Sequence, residues 1–248
     1  MPRKTLLITG ASTGIGAACA RLAAPTHDLA LGFRSDTAAA TEVADQARAA
    51  GARVELLQAD LSIPGEVERM FAEFDAAFPR LDGLVNNAGI VDQAARLDEI
   101  DPLRLRRMVD TNLIGPLLVA GQAVRRMSTR YGHAGGVIVN ISSVAARLGG
   151  PGQYVDYAAT KGALDTMTRG LADEVARESI RVCGIRPGII ETPIHGKGGQ
   201  PDRAARMAAL VPMQRAGTAS EVAEAVLWLL SDAASYVTGA TLDVTGGR

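Results

Sequence analysis

The run Leu6-Leu7-Ile8-Thr9-Gly10-Ala11-Ser12-Thr13-Gly14-Ile15-Gly16 governs how the rest of the chain is read. Its first four residues are apolar or β-branched, as in a strand buried on both faces. Three glycines follow within seven residues, and then an alanine-rich stretch, 14–24, with helical patterning. Glycines allow a tight turn and let the backbone approach a ligand without Cβ interference. The helix beyond the turn offers unpaired N–H groups and a favourable dipole to a phosphate. No Gly-Lys-Ser/Thr follows at P-loop spacing, and Gly-x-Gly-x-x-Gly spacing is also absent, so the loop alone does not name its ligand.

Outward from this unit the pattern repeats. Further short strand-like runs lie at 29–33, 54–58, 83–86, 137–141, 181–185 and 241–244. Amphipathic stretches at 37–50, 64–78, 98–129, 154–178 and 219–231 separate them as helices. Such alternation predicts an α/β fold: a doubly wound, Rossmann-like parallel sheet of about seven strands with helices on both faces. No linker-like composition interrupts the 248 residues, so one domain, 1–248, is expected. Only 186–218 breaks the rhythm, with Pro187, Pro193, Pro201 and Pro212 among several glycines. Because it leaves the carboxyl end of a strand, where open α/β sheets bind ligands, the part at about 188–213 is read as a substrate lid.

Composition narrows the partners. The net charge is −1 and the charged residues are interspersed, which argues against nucleic acid and for a small-molecule ligand. Cys19 and Cys183 sit far apart in apolar stretches, the usage of reduced core residues in a cytoplasmic protein rather than of a disulfide framework. The N-terminus lacks a signal peptide's apolar region and no run reaches membrane-spanning length. No metal site is expected.

The end of the second strand reads Phe33-Arg34-Ser35-Asp36. A carboxylate here would accept the ribose hydroxyls of NAD, whereas an arginine accommodates the 2′-phosphate of NADP. Asp36 falls beyond the strand and equally suits the cap of a helix beginning near Thr37. Arg34 with the Ser35 hydroxyl suits a phosphate dianion, so NADP(H) is favoured over NAD(H).

After the fifth strand, Tyr157-Ala158-Ala159-Thr160-Lys161 puts a tyrosine and a lysine four residues apart on one helix face. A phenol of ordinary pKa about 10 is a poor base at neutral pH, and a nearby ammonium lowers it. Asn140-Ile141-Ser142-Ser143 brings hydroxyls to the sheet's carboxyl edge, and since adjacent strand residues point to opposite faces, only one of Ser142 and Ser143 can face the site.

Together these pieces resemble the short-chain dehydrogenase/reductase (SDR) family, whose pattern is Thr-Gly-x-x-x-Gly-x-Gly, Asn-Asn-Ala-Gly, a helical Asn, Ser, Tyr-x-x-x-Lys and Pro-Gly-x-x-x-Thr. The elements occur in family order as Thr9 to Gly16, Asn86-Asn87-Ala88-Gly89, Asn112, Ser143, Tyr157 to Lys161, and Pro187-Gly188 to Thr192. The resemblance spans essentially the whole chain. It implies hydride transfer between a nicotinamide and an alcohol or ketone, with a catalytic tetrad of Asn112, Ser143, Tyr157 and Lys161. Tyr157 would act as acid/base, Lys161 would lower its pKa, and Asn112 would hold a water linking Lys161 to solvent. Gly10, Ser12, Thr13, Gly14, Ile15 and Gly16 would hold the cofactor, with Arg34, Ser35, Asp60 and Leu61 toward its adenosine. Asn86, Asn87, Ala88 and Gly89 would line it, and Tyr157, Lys161, Pro187, Gly188, Ile190 and Thr192 would meet its nicotinamide half.

Two features depart from the family's commonest pattern. The interval from Ser143 to Tyr157 is one residue longer, leaving Ser142 as an alternative, and Thr13 stands where many NADP-preferring relatives carry a basic residue. The resemblance also implies a homotetramer through helices 98–129 and 154–178 and the C-terminal strand. Competing readings are a non-catalytic NADP(H)-binding sensor or scaffold, and an SDR-type epimerase or lyase. Sugar dehydrogenases and 3-oxoacyl reductases are similar to the same degree. His195, Tyr154, Val144 and Met213 are candidate substrate contacts.

Overall fold

Parallel strands with no exposed face leave little choice of arrangement once helices must cover both sides. The computed structural model describes residues 3–248, apart from the side chains of His195 and Lys197. Nine strands occur among the described residues: β1 (Lys4–Thr9), β2 (His27–Phe33), β3 (Val54–Gln58), β4 (Gly83–Asn86), β5 (Gly136–Ile141), β6 (Ile180–Pro187), β7 (Ile190–Glu191), β8 (Gly217–Thr218) and β9 (Thr241–Val244). Seven of them form one parallel sheet in the order β3-β2-β1-β4-β5-β6-β9, while β7 and β8 pair apart from it. The predicted doubly wound sheet is therefore present as one Rossmann-like unit.

Helices α1 (Gly14–Ala23) and α2 (Thr37–Ala49) cover one face, and α3 (Pro64–Ala77) covers the other. Small side chains let α1 lie close to the strands: Ala17, Cys19, Ala20 and Ala23 are all buried against Leu6, Ile8 and Leu29. The opposite layer is bulkier, with Phe71 and Phe74 of α3 packed around Leu7 and Leu84.

The predicted helix 98–129 is not continuous. Asp101 accepts from the Arg104 amide at 2.8 Å and caps α4 (Pro102–Val109), which starts on a proline. A π-helical turn, Asp110–Ile114, then joins α4 to α5 (Gly115–Met127). The cause is Pro116, which has no N–H for the Asn112 carbonyl four residues back, so the ladder shifts to wider spacing. Asn112 sits at the centre of that turn.

Helix α6 (Ala145–Leu148) is short, and α7 (Val155–Val175) is the longest element. Between them the extra residue is taken up in a glycine turn, where Gly150 has φ +59, a conformation that side chains rarely adopt. Short α8 (Ile194–Lys197) and α9 (Arg203–Met207) give the 188–213 segment structure of its own, with Ile189, Ala204, Val211 and Ala216 forming a small separate core. Helix α10 (Ala219–Leu230) returns to the α1 face under a Thr218/Glu221 capping box.

One ion pair ties α4 to the start of α7. Arg104 and Asp156, with side chains 9% and 1% exposed, meet in two bonds of 2.8 and 3.2 Å, and Arg104 also donates to the Gln93 carbonyl at 2.6 Å. Removing one member strands a buried charge, whereas replacing both with apolar groups does not. In urea denaturation, Asp156→Leu should therefore lose about 3–5 kcal/mol of stability, and Arg104→Met/Asp156→Leu should recover most of it.

Candidate active site

In the sheet order the chain winds outward from β1 through β2 to β3 and then crosses back to β4 on the other side of β1, so a crevice opens at the carboxyl ends of β1 and β4. The glycine loop fills one side of it. Asn87, just past β4, donates to the Thr9 and Gly10 carbonyls at 2.9 and 3.2 Å, while the Thr9 hydroxyl accepts from the Asn87 and Ala88 amides at 2.9 and 3.0 Å. A Cβ at Gly16 would collide with the Gly10 carbonyl and lie 2.7 Å from the Asn87 amide nitrogen. The loop is thus tied to β4, and Ser12, Thr13 and Ile15 are left half-buried at its rim.

Helix α7 brings the other candidates together. Its residues Tyr157 and Lys161 both border a cavity of about 330 Å³, as does Ser143 at the end of β5. Ser142 and Ser143, just past the end of β5, both border the cavity. Ser142 is buried and donates to the Lys161 carbonyl at 3.1 Å, whereas the Ser143 hydroxyl accepts from the Ala145 amide at 3.1 Å and lies on the Tyr157 side, where it opposes the upward shift of the phenol. Ser143 is therefore the serine beside the tyrosine.

Lys161 is 4% exposed, and its ammonium donates to the Ile141 carbonyl at 2.8 Å. Burial pushes it down from 10.5 to about 8, with Asp165 one turn on pulling the other way. The expected lowering of the tyrosine is not what the site displays. Burial holds the Tyr157 phenol above its ordinary value, and only the Ser143 hydrogen bond opposes it. The Lys161 nitrogen faces the ring, 5.7 Å from its centroid, and is turned to a backbone carbonyl rather than to the hydroxyl.

Asn112 is fully buried, and its side chain spans the Ile90 peptide, accepting from the Ile90 N–H and donating to the Ile90 carbonyl, both at 2.8 Å. It reaches Lys161 across Gly89. A Cβ on Gly89 would lie 3.3 Å from the Asn112 carbonyl oxygen and 3.5 Å from the Lys161 nitrogen. Gly89 is itself exposed, and without a side chain it leaves room beside the two groups.

Other expected contacts divide. Pro187, Gly188, Ile190, Thr192, Asn87 and Gly89 border the cavity, and Ala88 is half-buried beside the loop. Asn86 instead points into the core, 1% exposed, donating to the Pro116 carbonyl at 3.0 Å and the Asn140 side chain at 3.2 Å. Leu61 is buried among α3 and α5 side chains. Asp60 accepts from the Ser62 amide and hydroxyl at 3.0 and 2.6 Å. Arg34 and Ser35 are exposed past β2, and Asp36 caps α2 by accepting from the Ala39 amide at 3.0 Å.

Tyr154 and Val144 line the cavity, whereas Met213 borders a second one behind β7. The side chain of His195 lies outside the described residues. Sequence reasoning missed Gln153, Arg203 and Met207, which also line the cavity. Nothing in a lid sequence marks which of its residues turn inward.

Comparison with known proteins establishes the family. Residues 10–248 match the family model described as Enoyl-(Acyl carrier protein) reductase. Over 243 residues, 98% of each chain, the sequence is 47% identical to the uncharacterized oxidoreductase YgfF of Escherichia coli. The chain belongs to the short-chain dehydrogenase/reductase family. As an SDR it is an oxidoreductase of the CH–OH/C=O class. Two solved SDR-fold structures are close in shape. The 3-ketoacyl-(acyl-carrier-protein) reductase from Brucella melitensis complexed with NADH has TM-score 0.89 and 31% identity, covering 99% of this chain and 98% of that one. A short chain dehydrogenase from Burkholderia cenocepacia in complex with NADP has TM-score 0.90 and 31% identity, covering 98% and 97%. Among the described residues no helix is long and apolar enough to cross a membrane.

Because Lys161 titrates near 8 when folded and near 10.5 otherwise, the unfolded chain binds the extra proton between those values and folding gains as pH rises through them. Below pH 8 the buried charge costs stability in full. Wild-type stability measured against Lys161→Met should therefore improve between about pH 8 and 10.5, by on the order of 3 kcal/mol.

Proposed function

We propose that this SDR catalyses reversible hydride transfer between a nicotinamide cofactor and a secondary alcohol or ketone, with Tyr157 as acid/base. The observation that carries the reading is the meeting of the Ser143 and Tyr157 hydroxyls in one cavity, with Lys161 buried beside them. A phenol and a hydroxyl side by side suit a carbonyl oxygen, which accepts from both.

The residues fit a dinucleotide. Gly10 and Gly16 let the loop turn tightly against Asn87 and Ala88, and the loop opens at the N-terminus of α1, where a pyrophosphate is favoured. Ser12, Thr13 and Ile15 at its rim, Ala88 and Gly89 after β4, and Pro187, Gly188, Ile190 and Thr192 after β6 would hold the rest. Asp60 and Leu61 would face the adenine through backbone or side chain. When bound, the nicotinamide supplies or accepts the hydride. Structural neighbours hold NADH in one case and NADP in another. Arg34, exposed past β2, with Asp36 engaged as a helix cap, supports NADP(H) for this chain.

In the reducing direction, Ser143 orients the substrate oxygen and Tyr157 gives it a proton. A phenol held above its ordinary pKa stays protonated at neutral pH, the form a proton donor needs. Lys161, largely charged at neutral pH, favours the phenolate left behind. Asn112 orders the space beside Gly89 through which a proton returns from solvent. Oxidation needs the phenolate and should quicken as pH rises.

The single domain, 1–248, uses 188–213 as its lid, and the cytoplasm is the compartment that suits two buried free thiols. A homotetramer is supported by Leu103, Val109 and Leu117, apolar yet 76%, 39% and 43% exposed on α4 and α5.

Reduction of a ketone panel followed by NADPH or NADH absorbance tests the reading. Tyr157→Phe should lose about 10²- to 10⁴-fold in kcat while retaining nucleotide binding, and wild-type-like turnover in that variant rejects the role. Arg34→Leu should weaken NADPH relative to NADH by about 10- to 100-fold, and an unchanged ratio rejects the NADP(H) preference.

A further inference from the structure

Around the Ser143 and Tyr157 hydroxyls the cavity wall is apolar, contributed by Val91, Val144, Leu148, Ile189, Ile194 and Met207. One cation enters it from the lid. Arg203 of α9 borders the cavity, half-buried, and its guanidinium lies 5.0 Å from the centroid of the Tyr154 ring. It donates through one terminal nitrogen to the Gln153 side-chain oxygen at 2.6 Å. The Tyr154 hydroxyl is itself fixed by Gln200, which donates to it at 2.9 Å. No carboxylate pairs with Arg203 among the described residues, unlike its neighbours: Arg206 meets Asp202, and Arg215 meets Glu221.

We propose that Arg203, stacked on Tyr154 and held by Gln153, is the anchor for a carboxylate, so that the substrate is an oxo acid or hydroxy acid. The inference rests on the dehydrogenase reading above. A stacked, tethered guanidinium is already ordered and keeps donors free for a bidentate acceptor, so little is lost in holding it when an anion arrives. Apolar walls strengthen that pairing and disfavour an anion with no partner. Geometry sets the reach. Arg203 and Tyr157 border the same cavity of about 330 Å³, so the carboxylate is separated from the reacting carbonyl by a short methylene chain that the apolar wall accepts.

The test compares 4-oxopentanoate and 5-oxohexanoate with their amides in the full-length protein. Wild type should show higher kcat/KM for the acids, mainly through KM, and Arg203→Met should cut the acid-to-amide ratio by about 10- to 100-fold. Arg203→Lys, which keeps charge without the planar fork, should fall between. Equal ratios in wild type and Arg203→Met overturn the anchor while leaving the dehydrogenase reading intact. If neither series turns over, the ketone panel decides the dehydrogenase reading by itself. In that case calorimetric binding of pentanoate against pentanamide still decides the anchor: a preference for the acid lost in Arg203→Met supports it, and no preference overturns it.

Discussion

The close approach at Gly16 is the constraint on which the site depends. A helix can start this near the first strand only where no Cβ stands between it and the Gly10 carbonyl, and the Asn87 amide occupies the room that remains. Thr9 completes the knot by taking two amides from the β4 side. The bonds join the ends of β1 and β4, the pair at which the winding of the sheet reverses. A crevice that exists because of topology is thereby given a fixed floor. Asn87 thus acts through the loop it secures as much as by bordering the cavity.

Helix α7 carries the second half of the site and is held by charge. Arg104 grips it at Asp156, immediately before Tyr157, and Arg186 grips it at Asp165, one turn after Lys161, at 2.7 Å. Between those two ties Lys161 is buried, bonded to a backbone carbonyl and with no ion-pair partner among the described residues. An ammonium in that position is easily perturbed, which is why burial lowers it so far. The same burial raises the tyrosine. Burial therefore drives the two pKa values apart, the ammonium down and the phenol up, and lysine and phenol do not touch.

Much of this was legible in the chain, because strands, glycine turns and a Tyr-x-x-x-Lys face are local patterns. The α/β alternation set seven strands with boundaries close to those observed, and Asp36 as a helix cap was one of two readings that its position permitted. The helix at 98–129 was misread because its periodicity runs unbroken through Pro116, and amphipathic pattern does not register a shift from α to π spacing. Asn86 was read as a cofactor contact because it stands in a motif, yet a strand's alternation turns it inward while Asn87 takes the edge.

By itself the sequence determined the fold, the family and the set of residues available for chemistry, since each follows from spacings within a few turns of chain. The tertiary structure decided what those residues do to one another. It set Ser143 rather than Ser142 against the phenol, turned Lys161 to a carbonyl, and brought Arg203 over Tyr154 from a segment about fifty residues away. Contacts of that kind depend on how the lid folds back across the sheet, and burial and long-range packing are properties of the assembled core that no local spacing encodes.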